Sequence, residues 1–233
     1  AIIRSTIEAD DGREQLVEVE IPRVGRNRIQ VNRQRVSRAS DLLGVVQVTV
    51  FSPDDLELIK GGPSLRREWI DAAVSARHPR DASLRAEVER VLRQRNALLR
   101  SVHGRLDADA SLTLEVWDSK LADVGERLRT ARRAMLDDMA PILATAYDAV
   151  AQQAAMVECR YESSWSGPLA DALLTSRDLD LRRGVTTVGP HRDEIHVTIA
   201  GAPARTHASQ GEQRSLALAL RLAADGVIRT VGV

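Results

Sequence analysis

The sequence predicts an α/β chain of the α+β kind: an antiparallel β meander, an inserted α-helical lobe built on an αα-hairpin, and a return to sheet that ends in a long helix. Three observations carry this prediction. Apolar and polar residues alternate with period two through much of residues 1–51. Between residues 81 and 150 the apolar period lengthens to that of helices, in two long stretches. Alternation then returns near residues 155–163 and 195–199, ahead of an apolar run that opens at Ser209. The expected division is 1–51 as a β-rich part, 52–154 as a helical lobe, and 155–233 as the return to the first part.

Taken in order, Ile3, Ser5 and Ile7 alternate with Ile2, Arg4 and Thr6, and Val17, Val19 and Ile21 alternate with Leu16, Glu18 and Glu20. Asp10-Asp11-Gly12 between them is a hairpin turn signal, and Pro22 stops the second strand. A third strand is expected over Arg26–Val31 and a fourth over Val45–Phe51, with a turn or short helix at Ser40–Gly44. Ser52-Pro53-Asp54-Asp55 suits a helix opening, with proline at N1 and carboxylates in the positive first turn. Gly61-Gly62-Pro63 ends that helix, and Ser64 is expected to cap the next. Asp81–Val102 is an amphipathic helix whose stripe is Leu84, Val88, Val91, Leu92, Arg95, Leu98, Leu99 and Val102. Gly104 stands at its C-cap position. A longer helix is expected from Ser111 or Thr113 to Val150, kinked or split at Pro141. After the strand at 155–163 come a helix over Leu169–Arg182, a strand over Ile195–Ile199 and a turn at Gly201-Ala-Pro203.

Composition excludes several classes of function. The 233 residues carry 33 basic and 33 acidic side chains, so no bulk field draws the chain to nucleic acid. The basic residues Arg23, Arg26, Arg28, Arg33, Arg35 and Arg38 are local to the first part and read either as a solvated strand face or as a track for a phosphate backbone. Aromatic content of 3% argues against stacking platforms for single strands. The lone Cys159 excludes an intrachain disulfide and fits a reducing, cytoplasmic setting. No apolar run reaches ~18 residues, so no helix is expected to cross a membrane, and no secretion leader is visible. His78, His103, His191, His196 and His207 are scattered and give no metal-ligand spacing. Nothing in the spacing suggests nucleophilic catalysis.

Three places carry candidate chemistry. Ser209-Gln210-Gly211-Glu212-Gln213 opens the last helix, with Ser209 as N-cap and Glu212 at the capping-box position. Such a first turn presents free N–H groups to an anion, and Gly211 allows close approach. The same pattern also describes an ordinary capped core helix. His191, Arg192 and Asp193 sit in a loop expected between apolar strands, either as an ordered turn or as a site loop in which Arg192 forks onto a phosphate. Arg66 and Arg67, with Lys60 nearby, are either surface ion pairs or phosphate contacts.

Four segments, in order, are similar to those of one family: Phe51-Ser-Pro-Asp-Asp-Leu-Glu-Leu-Ile-Lys-Gly-Gly-Pro63, Arg66-Arg67-Glu-Trp-Ile-Asp71, Gly189-Pro-His-Arg-Asp193 and Ser209-Gln-Gly-Glu-Gln213. The chain resembles the RecF family of bacterial recombination-repair proteins, which are SMC/ABC-type ATPases, over nearly its whole length. It departs from that family in having no GxxxxGK[ST] phosphate loop and no Walker B carboxylates after the last helix. The resemblance therefore implies a partial ABC-type ATPase head, the middle of a longer protein. It implies that Ser209 and Gly211 touch the γ-phosphate of an ATP held by a second copy, with Gln210 and Gln213 holding the loop and Glu212 within the same tip. It implies an ATP-dependent homodimer clamped on duplex or gapped DNA, with Mg accompanying ATP through ligands outside this chain. RecR, and with it RecO, would be the partners in recombination, replication, the SOS response and the loading of RecA. ATP hydrolysis is expected of the complete protein and not of this chain alone. The alternative is a non-enzymatic module in which the helical lobe binds DNA or protein.

Overall fold

Four strands pair in sequence order at the start of the chain: β1 (Ile2–Glu8), β2 (Glu14–Glu20), β3 (Arg28–Val31) and β4 (Gln34–Val36), all antiparallel. The register aligns Ile3, Val19, Ile29 and Val36 across the sheet. Side chains alternate faces along a strand, so these residues share one face with Val17 and Val31. Arg4, Glu18, Gln30 and Arg35 align on the other, where Arg4 pairs with Glu18 at 2.5 Å.

The strand β4 was not expected. Its hairpin turns at Asn32 and Arg33, both with positive φ (50° and 67°), as a type I′ turn requires. Asn32 tolerates that conformation and is fixed across the sheet: its Oδ1 accepts from the Leu16 amide at 2.9 Å. Three residues are too few for alternation to show, which is why the sequence hid this strand.

The computed structural model describes residues 1–8, 12–36 and 50–231. Asp10-Asp11 of the expected hairpin turn, Arg38, the turn at Ser40–Gly44 and residues 45–49 of the expected fourth strand lie outside them. Val50 and Phe51 are described and are not in a strand. The chain divides into two units, Ala1–Val50 and Phe51–Val233.

The second unit begins with a 3-10 turn, Pro53–Leu56, stabilised by the Ser52 amide donating to Asp55 Oδ2 at 2.7 Å. Helices α1 (Glu57–Lys60) and α2 (Pro63–Arg77) follow. Gly61 separates them because a Cβ there would lie 2.4 Å from the Glu57 carbonyl oxygen. Gly62, not Ser64, is the N-cap of α2: Pro63 fixes φ at the first helical position, so the helix starts two residues earlier than expected.

Helix α3 spans Leu84–Ser101 and α4 spans Ala108–Val150. Asp107 caps α4 by accepting from the Ala110 amide at 2.8 Å, ahead of the expected Ser111 or Thr113. The first turn of α4 is largely exposed, so apolar periodicity alone places its start too late. Nor is α4 split at Pro141. Pro141 is exposed, while Met139, Leu143 and Tyr147 around it are buried. One lost backbone bond does not end a helix whose other face is packed. At 43 residues, α4 runs about 65 Å.

The chain continues through β5 (Val157–Glu162), α5 (Leu169–Arg183), β6 (Glu194–Ile199), β7 (Ala202–Pro203), α6 (Ala204–His207) and α7 (Gln210–Val231). The three strands form a second antiparallel sheet in sequence order. The β6–β7 turn is Ala200-Gly201, again with two positive φ values (49° and 78°), one residue before the expected turn.

Two apolar cores lie along α4. One joins α3, the first half of α4 and α5 around Leu84, Leu121, Leu128, Trp165, Leu169 and Leu173. The other packs α2, the second half of α4, the second sheet and α7 around Ile70, Met139, Tyr147, Ile195, Leu216 and Leu220. Small residues Ala217, Ala219 and Ala223, all fully buried, let α7 approach closely.

Candidate functional site

The start of α7 is an exposed tip on a rigid helix. Ser209 and Glu212 form a reciprocal capping box: the Ser209 amide donates to Glu212 Oε2 at 2.7 Å, and the Glu212 amide donates to Ser209 Oγ at 3.3 Å. Hydrogen bonding from Ser209, by its side chain first and then its backbone amide, holds the Glu212 carboxyl below the usual carboxylate range. The Ser209 carbonyl accepts the first helical bond, from Gln213 at 2.9 Å. Gln210 and Gly211, the first two helical residues, have N–H groups with no intrahelical acceptor. Ser209, Gln210 and Gly211 are all exposed, and a Cβ built on Gly211 meets nothing within 4 Å.

Gln213 turns inward. It is buried, and its Nε2 lies 3.2–3.4 Å from the carbonyls of Ala204, Arg205 and Ala208, so it holds the segment that leads into the tip. Behind the tip, Arg221 Nε donates to Asp55 Oδ1 at 2.8 Å, which fixes α7 against the opening turn of this unit. A cavity of about 370 Å³ adjoins the tip, walled on one side by Ser209, Gly211 and Glu212 and on the other by Tyr147, Gln152 and Gln153. The sequence carried no signal for that second wall. Gln152 and Gln153 are ordinary polar residues past a helix end, and only the packing of α4 on α7 brings them here.

The loop Gly189–Asp193 is built differently. It does not lie between two strands: α5 and a bend precede it, and only β6 follows. Asp193 is 1% exposed. Its carboxylate does not bond its own backbone, as an isolated turn would require. It accepts from the Ser164 amide at 2.7 Å and from the Tyr161 hydroxyl, and lies 3.9 Å from Arg132 Nη1. Burial pushes the Asp193 carboxyl up, against those bonds. Arg132 forks onto Asp71 at 2.7 and 2.8 Å and donates to the Pro190 carbonyl at 2.7 Å. Burial opposes its charge, and the Asp71 pair overcomes that, holding the guanidinium above its ordinary value.

His191 lies within 3.1 Å of the Thr186 carbonyl through Nε2, its Nδ1 is buried without a partner among the described residues, and burial lowers its pKa to about 4. Arg192 is exposed, with one contact at 3.4 Å to the Thr186 carbonyl. Thr186 is itself held by a second buried cluster: Arg95, fully buried, donates to Asp118, Asp180 and Thr186 at 2.7–2.9 Å. Arg95 stood within the apolar stripe of α3, and a lone arginine on an apolar face is the sequence signal for such a cluster.

The pair at the start of α2 is largely committed inside the fold. Arg66 is buried; it forks onto Glu194 at 3.0 and 3.1 Å and donates to the Leu58 and Gly61 carbonyls. Arg67 is half-buried, donates to the Asp193 carbonyl at 2.6 Å and has no carboxylate within 4 Å among the described residues. Burial and the neighbouring Arg132 lower its pKa. Lys60 is half-buried at the end of α1. The tip of α7, the Gly189–Asp193 loop and Lys60–Arg67 are thus three separate places. The last two touch through Arg67 and Asp193, and the first stands apart. Among the described residues no group of histidine, cysteine or carboxylate side chains has the geometry to hold a metal ion, and no helix is long and apolar enough to cross a membrane.

The second sheet, the helical lobe and the capped helix α7 together make the mixed helix and antiparallel-sheet fold of an ABC-type ATPase head. No family model matches the chain. Curated proteins called DNA replication and repair protein RecF do match: 38% identity in Cutibacterium acnes, and 40% in both Frankia alni and Streptomyces avermitilis, over 98–100% of this chain. The chain spans 65–66% of their lengths. Two solved structures, described as the recombination mediator protein RecF-ATP and RecF-ATPrS in the RecFOR pathway, superpose with a TM-score of 0.83 at 27% identity. Each covers 99% of this chain, which in turn covers 64% of each. The chain belongs to the RecF family.

Proposed function

We infer that this chain supplies the trans half of an ATP site in a RecF-type DNA replication and repair ATPase. The observation that carries the reading is the tip of α7: Ser209, Gln210 and Gly211 are exposed, their backbone is fixed by the Ser209–Glu212 box, and a Cβ at Gly211 would meet only open space. A triphosphate held by a second copy would meet the Ser209 hydroxyl, the Gln210 and Gly211 N–H groups and the positive end of a 22-residue helix. Gln213 sets the preceding segment, so the tip needs little rearrangement on binding.

Two such sites, related by two-fold symmetry, join two heads when ATP is bound and release them on hydrolysis. Mg and the hydrolytic groups belong to the half of the site that holds the nucleotide, for which this chain has no matching motif. The assembly acts on duplex or gapped DNA together with RecR and RecO, a reading supported by the relatives' names. Of the candidate phosphate contacts, Lys60 and the unpaired part of Arg67 remain available to DNA, and Arg66 serves the fold.

The test is ATP-dependent dimerisation by sedimentation, using the protein as its gene encodes it. Ser209→Arg places a bulky cation on the tip without touching either core, and it abolishes dimerisation. Unchanged dimerisation overturns the reading. Duplex-DNA binding that neither needs ATP nor responds to Ser209→Arg supports the alternative, a binding module without nucleotide.

A further inference from the structure

The cavity beside the tip has a second wall that the phosphate reading does not use. Tyr147, the last buried residue of α4, lines it; the side chain is 0% exposed and its hydroxyl has no hydrogen-bond partner among the described residues. A buried phenol ordinarily finds an acceptor or donor. This one borders open space of about 370 Å³. Gln152 and Gln153, both exposed, continue the wall just past the end of α4. Ser215 lies on the opposite side, and its hydroxyl ties α7 to the end of α4 by donating to the Val150 carbonyl at 3.3 Å. The two walls are therefore held at a fixed separation.

The chemistry of the two sides differs. The tip offers N–H groups and a helix dipole, which suit phosphate. The far wall offers two carboxamides and a phenol, neutral groups that both donate and accept. Burial, and then the Glu212 and Asp148 carboxylates, push the Tyr147 phenol up, so it stays protonated. With the Glu212 and Asp148 carboxylates acting on the phenol, this wall disfavours a second anion and suits hydroxyl groups or the edge of a base.

We propose that Tyr147, Gln152 and Gln153 form a nucleoside subsite, contacting the sugar or base of the nucleotide whose terminal phosphate meets Ser209 and Gly211. The inference rests on the reading of the tip as a nucleotide site, and it adds a discriminating contact from the capping copy. A phosphate-only tip accepts any triphosphate equally; this arrangement makes the second copy sense which nucleoside is attached.

The experiment measures the nucleotide concentration that gives half-maximal dimerisation with ATP, GTP and 2′-deoxyATP, again on the gene-encoded protein. Gln152→Ala/Gln153→Ala changes at least one of the GTP/ATP and deoxyATP/ATP ratios by about two- to tenfold, the loss expected for one neutral hydrogen bond. Tyr147→Phe removes only the unpartnered hydroxyl and shifts the same ratio by a smaller factor. Both glutamines are exposed and the phenylalanine fills the same space, so the variants fold. Ratios that stay at their wild-type values in the double variant overturn the subsite. Ser209→Arg separates the two readings: if it abolishes dimerisation while the ratios ignore Gln152 and Gln153, the tip stands and the subsite falls. If Ser209→Arg has no effect, both fall.

Discussion

The tip at Ser209–Gln213 and the loop at Gly189–Asp193 are both short polar motifs beside apolar segments, and both read as candidate sites in the sequence. Their polar groups end in opposite states. In the loop, the Asp193 carboxylate accepts from the Tyr161 hydroxyl and the Ser164 amide, lies 3.9 Å from Arg132 and is 1% exposed. At the tip, the capping box secures the backbone and leaves the Ser209 hydroxyl, the Gln210 side chain and the leading N–H groups facing outward. A polar motif becomes a binding site when folding leaves its hydrogen-bonding groups over; when folding pairs them, the motif locks elements together.

Perturbing the loop should therefore harm the fold, and perturbing the tip should spare it. The largest effect belongs to Asp71→Ala, which strands the buried Arg132 charge. It should lower stability by about 3–5 kcal/mol in urea unfolding, and Asp71→Ala/Arg132→Met should recover much of that. A small loss for the single change would show that water reaches the cluster and would erase the contrast with the tip.

His191 gives the next effect. Its pKa is about 4 in the folded protein and about 6.5 unfolded. The folded state thus disfavours the proton, and the stability gained from a neutral ring is complete above the unfolded value. As pH falls from about 6.5 toward 4, the unfolded chain takes up the proton first and stability declines, by at most about 3 kcal/mol, then levels. His191→Gln should flatten that part of the curve. An equal slope in the variant would mean the imidazole is solvated.

At the tip the effects on folding shrink. Ser209→Ala removes a helix cap and should cost about 1 kcal/mol. Gly211→Ala should be neutral or stabilising by up to about 1 kcal/mol, because the site is helical and the added methyl meets nothing. On the proposed trans site, the same change should weaken ATP-dependent dimerisation, since the methyl would stand in the path of a second copy's phosphate. A fold that gains stability while losing assembly is the sharpest form of the comparison. Smallest of all is Arg85→Ala, which breaks exposed pairs with Glu68 and Glu89 and should change stability by less than about 1 kcal/mol.

The sequence alone determined the features that depend on neighbours along the chain. Period-two alternation located β1, β2 and β5, helical period located α3 and most of α4, and the Ser209–Glu212 spacing located a capped helix start, because each is a local geometric rule. Starts masked by exposed first turns, such as Asp107, and a three-residue strand such as β4 left too little pattern to read. The tertiary structure decided everything that rests on distant pairing. It committed Arg66 to Glu194 and Arg132 to Asp71, buried the Asp193 carboxylate against Tyr161 and Ser164, and set Tyr147 and Gln153 opposite a tip more than fifty residues further on. Whether a polar side chain is free or paired depends on which segments pack against it, and no local period encodes that.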